Sequence, residues 1–254
     1  MLEIKEKTMR YKLLDEIRGF WIINMVVYHA VWDFVYLYGI EVAWFDGTFR
    51  DIWRIMIRLG FITLSGYCWQ MGKKQLTRGI IVFAGGLIVS AVTLIVTPES
   101  RIIFGVLTFL GSAMILLVPL SKLLEKIPAM PGVIVSVILF VVTFRIGNGT
   151  VGFGNIQLCE VPKGWYANWV TTYLGFPMDG FFTTDYFGFF PWIFLYIAGY
   201  YGYTILKKKE CVNWAKKGIC PPLGFVGRHS LLIYLLHQPL IYGACEALHY
   251  FGVI

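Results

Sequence analysis

Apolar residues fall in seven long blocks along this chain, at roughly 18–38, 52–71, 79–97, 102–120, 131–146, 187–206 and 229–250. Each is close to the roughly 20 residues a helix needs to cross a hydrocarbon core of about 30 Å. The pattern predicts an all-α fold, a polytopic bundle of about seven transmembrane helices. No stretch between the blocks is long enough for a soluble domain, and no repeat of fixed period is visible. Residues 1–254 therefore read as one transmembrane domain. The segment 164–180, GWYANWVTTYLGFPMDG, is aromatic but broken by Gly and Pro. It reads as an interfacial or re-entrant piece of a long outer loop, not as an eighth span.

Positive charges orient the bundle. Lys5, Lys7, Arg10 and Lys12 precede the first block, and Lys73, Lys74 and Arg78 follow the second. Lys122 and Lys126 follow the fourth, and Lys207, Lys208, Lys209, Lys216 and Lys217 follow the sixth. These segments alternate with poorer ones at 41–51, 98–101 and 147–186. Short cytoplasmic loops collect Lys and Arg, so the N-terminus is expected in the cytoplasm and the C-terminus outside.

Composition agrees and narrows the function. Hydrophobic residues make up 57% of the chain and charged ones 15%, against about 45–50% and about 25% in soluble domains. That excludes intrinsic disorder and a water-soluble fold, and predicts a multi-pass protein of the plasma membrane. The net charge of +7 reports topology rather than a nucleic-acid partner. Cys68, Cys159, Cys211, Cys220 and Cys245 show no metal spacing. Cys211 and Cys220 lie in a loop assigned to the reducing cytoplasm. No cleavable signal peptide is visible.

The informative residues are polar ones where lipid makes them expensive. At 100° per residue, Asp15, Arg18, His29, Asp33 and Tyr36 form one stripe on the first helix. His29 lies about 16 Å beyond Arg18, near the midplane. Asp33 follows one turn later and is placed to orient it, an arrangement suited to a general base. The bland alternative is a buried histidine bonded to a neighbouring helix. Arg54 and Arg58 on the second helix lie at the depth of Asp33. Arg58 is expected to pair with Asp33, while Arg54 is equally explained by snorkelling to the outer surface. On the last helix Ser230, Tyr234 and His237 share a face within about 60°, and His237 is about 14 Å from Arg228. Gln238 adjoins it, and Pro239 frees a backbone carbonyl or kinks the helix. His229 reads as interfacial. Asp185 with Thr184 reads as an N-cap of the sixth block, and Gly85, Gly86, Gly199 and Gly202 as close helix packing. Four histidines without paired Cys or Glu ligands give no expectation of a metal.

Three stretches carry a resemblance: YKLLDEIRGFWIINMVVYHAVWDF (11–34), FGVLTFLGSAMILLVPL (104–120), and TDYFGFFPWIFLYIAGYYGY (184–203) with GRHSLLIYLLHQPLIYG (227–243). Together they resemble the small bacterial members of the heparan-α-glucosaminide N-acetyltransferase family of membrane acyltransferases, over nearly the whole chain in order. A related opening motif occurs in the acyltransferase-3 family, which usually has more spans. The resemblance implies transfer of an acetyl or other acyl group from cytosolic acetyl-CoA to an extracytoplasmic carbohydrate acceptor, at an amine or hydroxyl. The expected catalytic residues are His29, Asp33 and His237. Arg18, Lys73, Lys74, Arg78, Arg228 and Ser230 are expected to hold CoA. Arg54, Arg58, Tyr234, Gln238 and Trp165 are expected to meet the acceptor. Membrane lipid is an expected partner, and a homodimer the expected assembly by analogy.

Two departures stand out. Many bacterial relatives have His at the position of Thr108, and the lysosomal enzyme has its catalytic His in a loop corresponding to 39–51, where this chain has none. The polar stripe taken alone fits a transporter or flippase for a small polar or lipid-linked substrate equally well. The loss at Thr108 leaves room for a non-catalytic envelope-assembly protein.

Overall fold

A computed structural model describes residues 10–154, 156–208 and 215–252. Lys5, Lys7, Lys209 and Cys211, used above for topology and redox state, lie outside the described residues. All seven blocks fall on long helices: α1 (Lys12–Tyr36), α2 (Gly47–Trp69), α3 (Gln75–Val96), α4 (Val106–Leu124), α5 (Ala129–Thr143), α7 (Phe189–Lys208) and α9 (Ser230–Tyr250). Two short helices, α6 (Trp169–Leu174) and α8 (Pro221–Arg228), complete the set among the described residues. An antiparallel hairpin, β1 (Thr150–Phe153) with β2 (Ile156–Glu160), was not expected from the apolar blocks.

Five helical segments are long and apolar enough to cross a membrane: Gln75–Val96, Val106–Leu124, Ala129–Asn148, Phe189–Lys207 and Ser230–Tyr250. The protein is a multi-pass membrane protein. With 25 and 23 residues, α1 and α2 also have the length. They carry Asp15, Glu16, Arg18 and Asp33, and Arg50, Asp51, Arg54 and Arg58, respectively. The fragment at 164–180 contains the end of a 3-10 turn (Lys163–Trp165) and the six-residue α6, both too short to span. Asn168 opens it with a capping box, accepting from the backbone N–H groups of Val170 and Thr171.

The chain divides into two compact units, and the boundaries fall within α2 and near the end of α7. The first comprises Met1–Phe61 and Leu206–Ile254. Its core is Ile22, Met25, Tyr28, Phe45 and Ile57, ringed by Trp21, Trp53 and Phe61 among others. Here α1 and α8 meet backbone to backbone. A β-carbon on Gly19 would overlap the carbonyl of Leu223, and one on Gly227 the carbonyl of Asp15. Buried Glu16 accepts the Ile219 N–H on both carboxylate oxygens, at 3.0 and 2.8 Å. That satisfies a donor just ahead of α8, which begins on Pro221 and Pro222. The GRHS motif straddles two helices, Gly227 and Arg228 closing α8 and Ser230 opening α9, because the backbone turns at His229.

The second unit comprises Ile62–Ile205. Gly86 lets α3 touch α4, since a β-carbon there would lie 2.6 Å from the Thr108 backbone nitrogen. Gly199 lets α7 rest on the Thr63 carbonyl of α2, as expected of a packing glycine. Gly202 makes only an ordinary contact, 3.8 Å from Tyr67. Asp185 is not the N-cap of α7, which starts later, at Phe189. Pro191 holds Phe190 in an extended conformation, so regular helix cannot begin earlier.

Candidate functional site

The first unit brings together polar residues that the sequence spreads across more than 200 positions. The imidazoles of His29 on α1 and His237 on α9 lie 5.0 Å apart, centroid to centroid. The contact between α1 and α9 makes this possible, and Ile22, Met25 and Tyr28 fix the other side of α1 in the core. His237 is buried, and its Nδ1 lies 2.6 Å from the Tyr234 carbonyl oxygen one turn back. A carbonyl only accepts, so that contact puts a proton on Nδ1, and a neutral His237 then carries its lone pair on Nε2. The Tyr234 ring flanks the His237 ring at 5.3 Å.

One turn beyond His29, Asp33 is fully buried. The Gln238 amide donates to both its carboxylate oxygens, at 3.1 and 2.8 Å. The depth match on α1 and α2 pairs Asp33 with Arg58. The structure instead gives Asp33 its hydrogen bonds from α9, because Gln238 follows His237 and faces the same helix. Arg58 lies within electrostatic reach of His29. No hydrogen bond joins His29 to Asp33 among the described residues, so Asp33 anchors α9 rather than the imidazole. The carbonyl oxygen of Gln238 is buried and has no hydrogen-bond partner among the described residues. It is a buried acceptor without a donor, on the amide that binds Asp33.

Of the other expected acceptor residues, Arg54 is half-exposed and pairs with Asp51 at 3.1 Å on its own helix. That geometry favours the surface reading of Arg54. Trp165 belongs to the second unit, where its ring meets Phe176 at 4.9 Å. Arg18 bonds Asp15 at 3.2 Å and Arg228 lies over the Phe225 ring at 5.7 Å. Each is the neighbour of a glycine in the α1–α8 contact, so the fold brings these two cations to one end of the first unit. Ser230 opens α9, two residues after Arg228. Lys73, Lys74 and Arg78 stand in the second unit at the start of α3. Among the described residues, no group of His, Cys, Asp and Glu is placed to hold a metal.

Glu16 and Glu246 carry roles the sequence did not announce. Glu16 organises the segment ahead of α8. Glu246 accepts from the Tyr38 hydroxyl at 2.8 Å and ties the loop after α1 to the far end of α9. An acidic residue at a buried position of α1 was the available signal for Glu16. Thr108 is a packing residue. It is buried, its hydroxyl donates to the Gly105 carbonyl at 2.6 Å, and its methyl would lie 2.7 Å from a β-carbon on Gly86.

Chemically, two imidazoles in contact form a proton-handling pair. Two imidazolium cations at this spacing repel, so at least one ring stays neutral and able to take a proton or attack a carbonyl. The family profile described as heparan-alpha-glucosaminide N-acetyltransferase, catalytic, matches residues 10–239, a range that contains every residue of this cluster. Comparison with curated proteins and with solved structures gives no match.

Proposed function

The chain belongs to the heparan-alpha-glucosaminide N-acetyltransferase catalytic family, and from that premise we propose that His29 is the reacting imidazole of a transmembrane acetyl transfer. The protein is a membrane acyltransferase that uses acetyl-CoA. Among the three classes of function the sequence allows, the family match favours the enzyme. In the proposed reaction, the acetyl group leaves cytosolic acetyl-CoA and reaches a sugar amine or hydroxyl on the opposite side. The match runs across both compact units, which supports treating them as one catalytic domain. Seven spans with the N-terminus inside suit this reaction, since the cations Arg18, Lys73, Lys74, Arg78 and Arg228 then lie on the side where CoA is found.

The observation that carries the proposal is the contact between His29 and His237, one turn from the Asp33–Gln238 hydrogen bonds. A neutral imidazole takes the proton from the acceptor as its nitrogen or oxygen attacks the thioester carbonyl carbon. The carbon–sulfur bond breaks, and the departing CoA sulfur recovers the proton. In the two-step variant the His29 nitrogen first displaces CoA and carries the acetyl group to the acceptor. In this reading the bound acceptor donates a hydrogen bond to the Gln238 carbonyl oxygen, which lacks a partner among the described residues, beside Arg58 and Tyr234.

The test is transfer of radiolabel from acetyl-CoA to candidate amino sugars by purified protein. His29→Ala abolishes transfer if the proposal holds, while intact transfer by that variant ends it. Label retained on the protein when the acceptor is omitted marks the two-step route.

A further inference from the structure

The hairpin after α5 has one apolar face, and an irregularity in its pairing creates that face. Thr150 pairs with Glu160, Val151 with Cys159, Gly152 with Gln157 and Phe153 with Ile156. The register shifts between Val151 and Gly152, leaving Leu158 as an extra residue in β2. Cross-strand partners share a face. One face therefore carries Val151, Phe153, Ile156 and Cys159, and the other Thr150, Gly152, Gln157 and Glu160. The hydrogen bond from the Gln157 amide to Glu160, at 3.3 Å, agrees with this partition. Strict alternation would have put Ile156 on the side of Glu160.

The apolar face is not buried against protein. Phe153 is 62% exposed and Ile156 64%. In water such a pair of large apolar side chains at a hairpin tip has no stabilising contact. The tip is nevertheless held down. The Arg145 guanidinium donates to the Gly154 carbonyl at 2.7 Å, and β1 packs against α5. Arg145 lies within the segment Ala129–Asn148, which is apolar enough to cross a membrane. The tip is thus fixed at the end of a span. The side chains of Phe144, Leu139 and Ile138 on that span are themselves exposed, as lipid-facing residues are.

We propose that the hairpin 150–160 is an interfacial anchor whose Phe153–Ile156 face enters the headgroup and upper acyl region of the bilayer, with Arg145 at headgroup level. The lipid surface is continuous with that of α5, and a tethered apolar edge beside a cation is what an interfacial segment requires. The anchor would hold the outer loop, with α6, against the membrane. It does not depend on the acetyl-transfer assignment.

The test uses the full chain in nanodiscs holding one copy each. A charged, water-soluble maleimide is applied, and alkylation is read by mass spectrometry at native Cys159, in an Ile156→Cys variant and in a Gln157→Cys variant. A thiol in lipid neither ionises nor meets a charged reagent, so position 156 is expected to react about tenfold more slowly than position 157. Native Cys159, on the apolar face but nearer the hairpin base, is expected between them. Equal rates at 156 and 157 overturn the proposal. So does protection at 156 that appears only in discs holding two copies, because a second chain then covers the face. If a variant does not fold, hydroxyl-radical oxidation of Phe153 in the unmodified protein decides. Oxidation as low as that of Leu139 on α5 supports the anchor, and oxidation matching the unfolded chain overturns it.

Discussion

The rings of His29 and His237 lie 5.0 Å apart at an interplanar angle of 56°, although 207 residues separate them in sequence. Residues that act as a unit lose their function together. Replacing either histidine with alanine is expected to lower acetyl transfer by about 10²–10⁴-fold, the usual worth of a positioned acid or base. The double variant should be no slower than the slower single one. Transfer assays on all three, with thermal unfolding as the check on folding, measure this. Effects that multiply would show two independent roles.

The same pair fixes a pH dependence. A base or nucleophile must be the neutral imidazole, so the rate is expected to rise as protons leave the pair. Because one ring of the pair is already neutral, kcat should stay level through about pH 5 to 8, the range in which an isolated histidine changes charge, and fall only in stronger acid, where both rings take protons. A rise of kcat centred in that range would place the base outside the pair.

Much of this site was legible because membrane burial makes polar residues conspicuous. His29, Asp33, His237 and Gln238 were each visible as costly residues within apolar blocks, and helix rise gave the two histidines similar depths. Partner choice was not legible. The depth match assigned Asp33 to Arg58, but only the packing of α1 on α9 brings Gln238 to it. The hairpin escaped because strands of four and five residues leave no apolar block. Helix α8 escaped because its identity rests on Gly19 and Gly227, whose backbone contact has no periodic signature.

The Asp33–Gln238 hydrogen bonds predict a stability effect that unfolding reads without any transfer assay. Gln238→Ala strands a buried carboxylate, at a cost of about 1–3 kcal/mol. Asp33→Asn keeps an oxygen that accepts from Gln238 and should be milder. Thermal unfolding in detergent should therefore rank Gln238→Ala below Asp33→Asn. The reverse order would show that the amide does little to hold α9 on α1.

Glu16 predicts a local opening. Without its carboxylate the Ile219 N–H loses its partner, and the segment joining Ala215 to α8 loses its tie to α1. Tryptic cleavage after Lys216 or Lys217 is expected to be about tenfold faster in Glu16→Ala, since proteolysis follows local opening. Glu16→Gln retains one acceptor oxygen and should fall between. Cleavage unchanged in both variants would place the restraint in the α1–α8 glycine contact alone.

Thr108 allows a sharper separation of packing from chemistry. The resemblance, which implies histidine at this position in many relatives, invites the idea that Thr108→His would raise activity. The geometry here predicts the opposite. The Thr108 methyl and backbone nitrogen already lie 2.7 and 2.6 Å from where a β-carbon on Gly86 would stand. An imidazole cannot enter that contact without parting α3 from α4, and overpacking of this kind costs about 1–3 kcal/mol. Thr108→His is therefore expected to lower the unfolding temperature and leave transfer per folded molecule unchanged or reduced. Thr108→Ser keeps the hydrogen bond to the Gly105 carbonyl and loses one methyl, so it should remain nearly as stable as the native protein. Increased transfer by Thr108→His at unchanged stability would mean that α3 moves aside to admit the ring, and that position 108 is not a packing position alone.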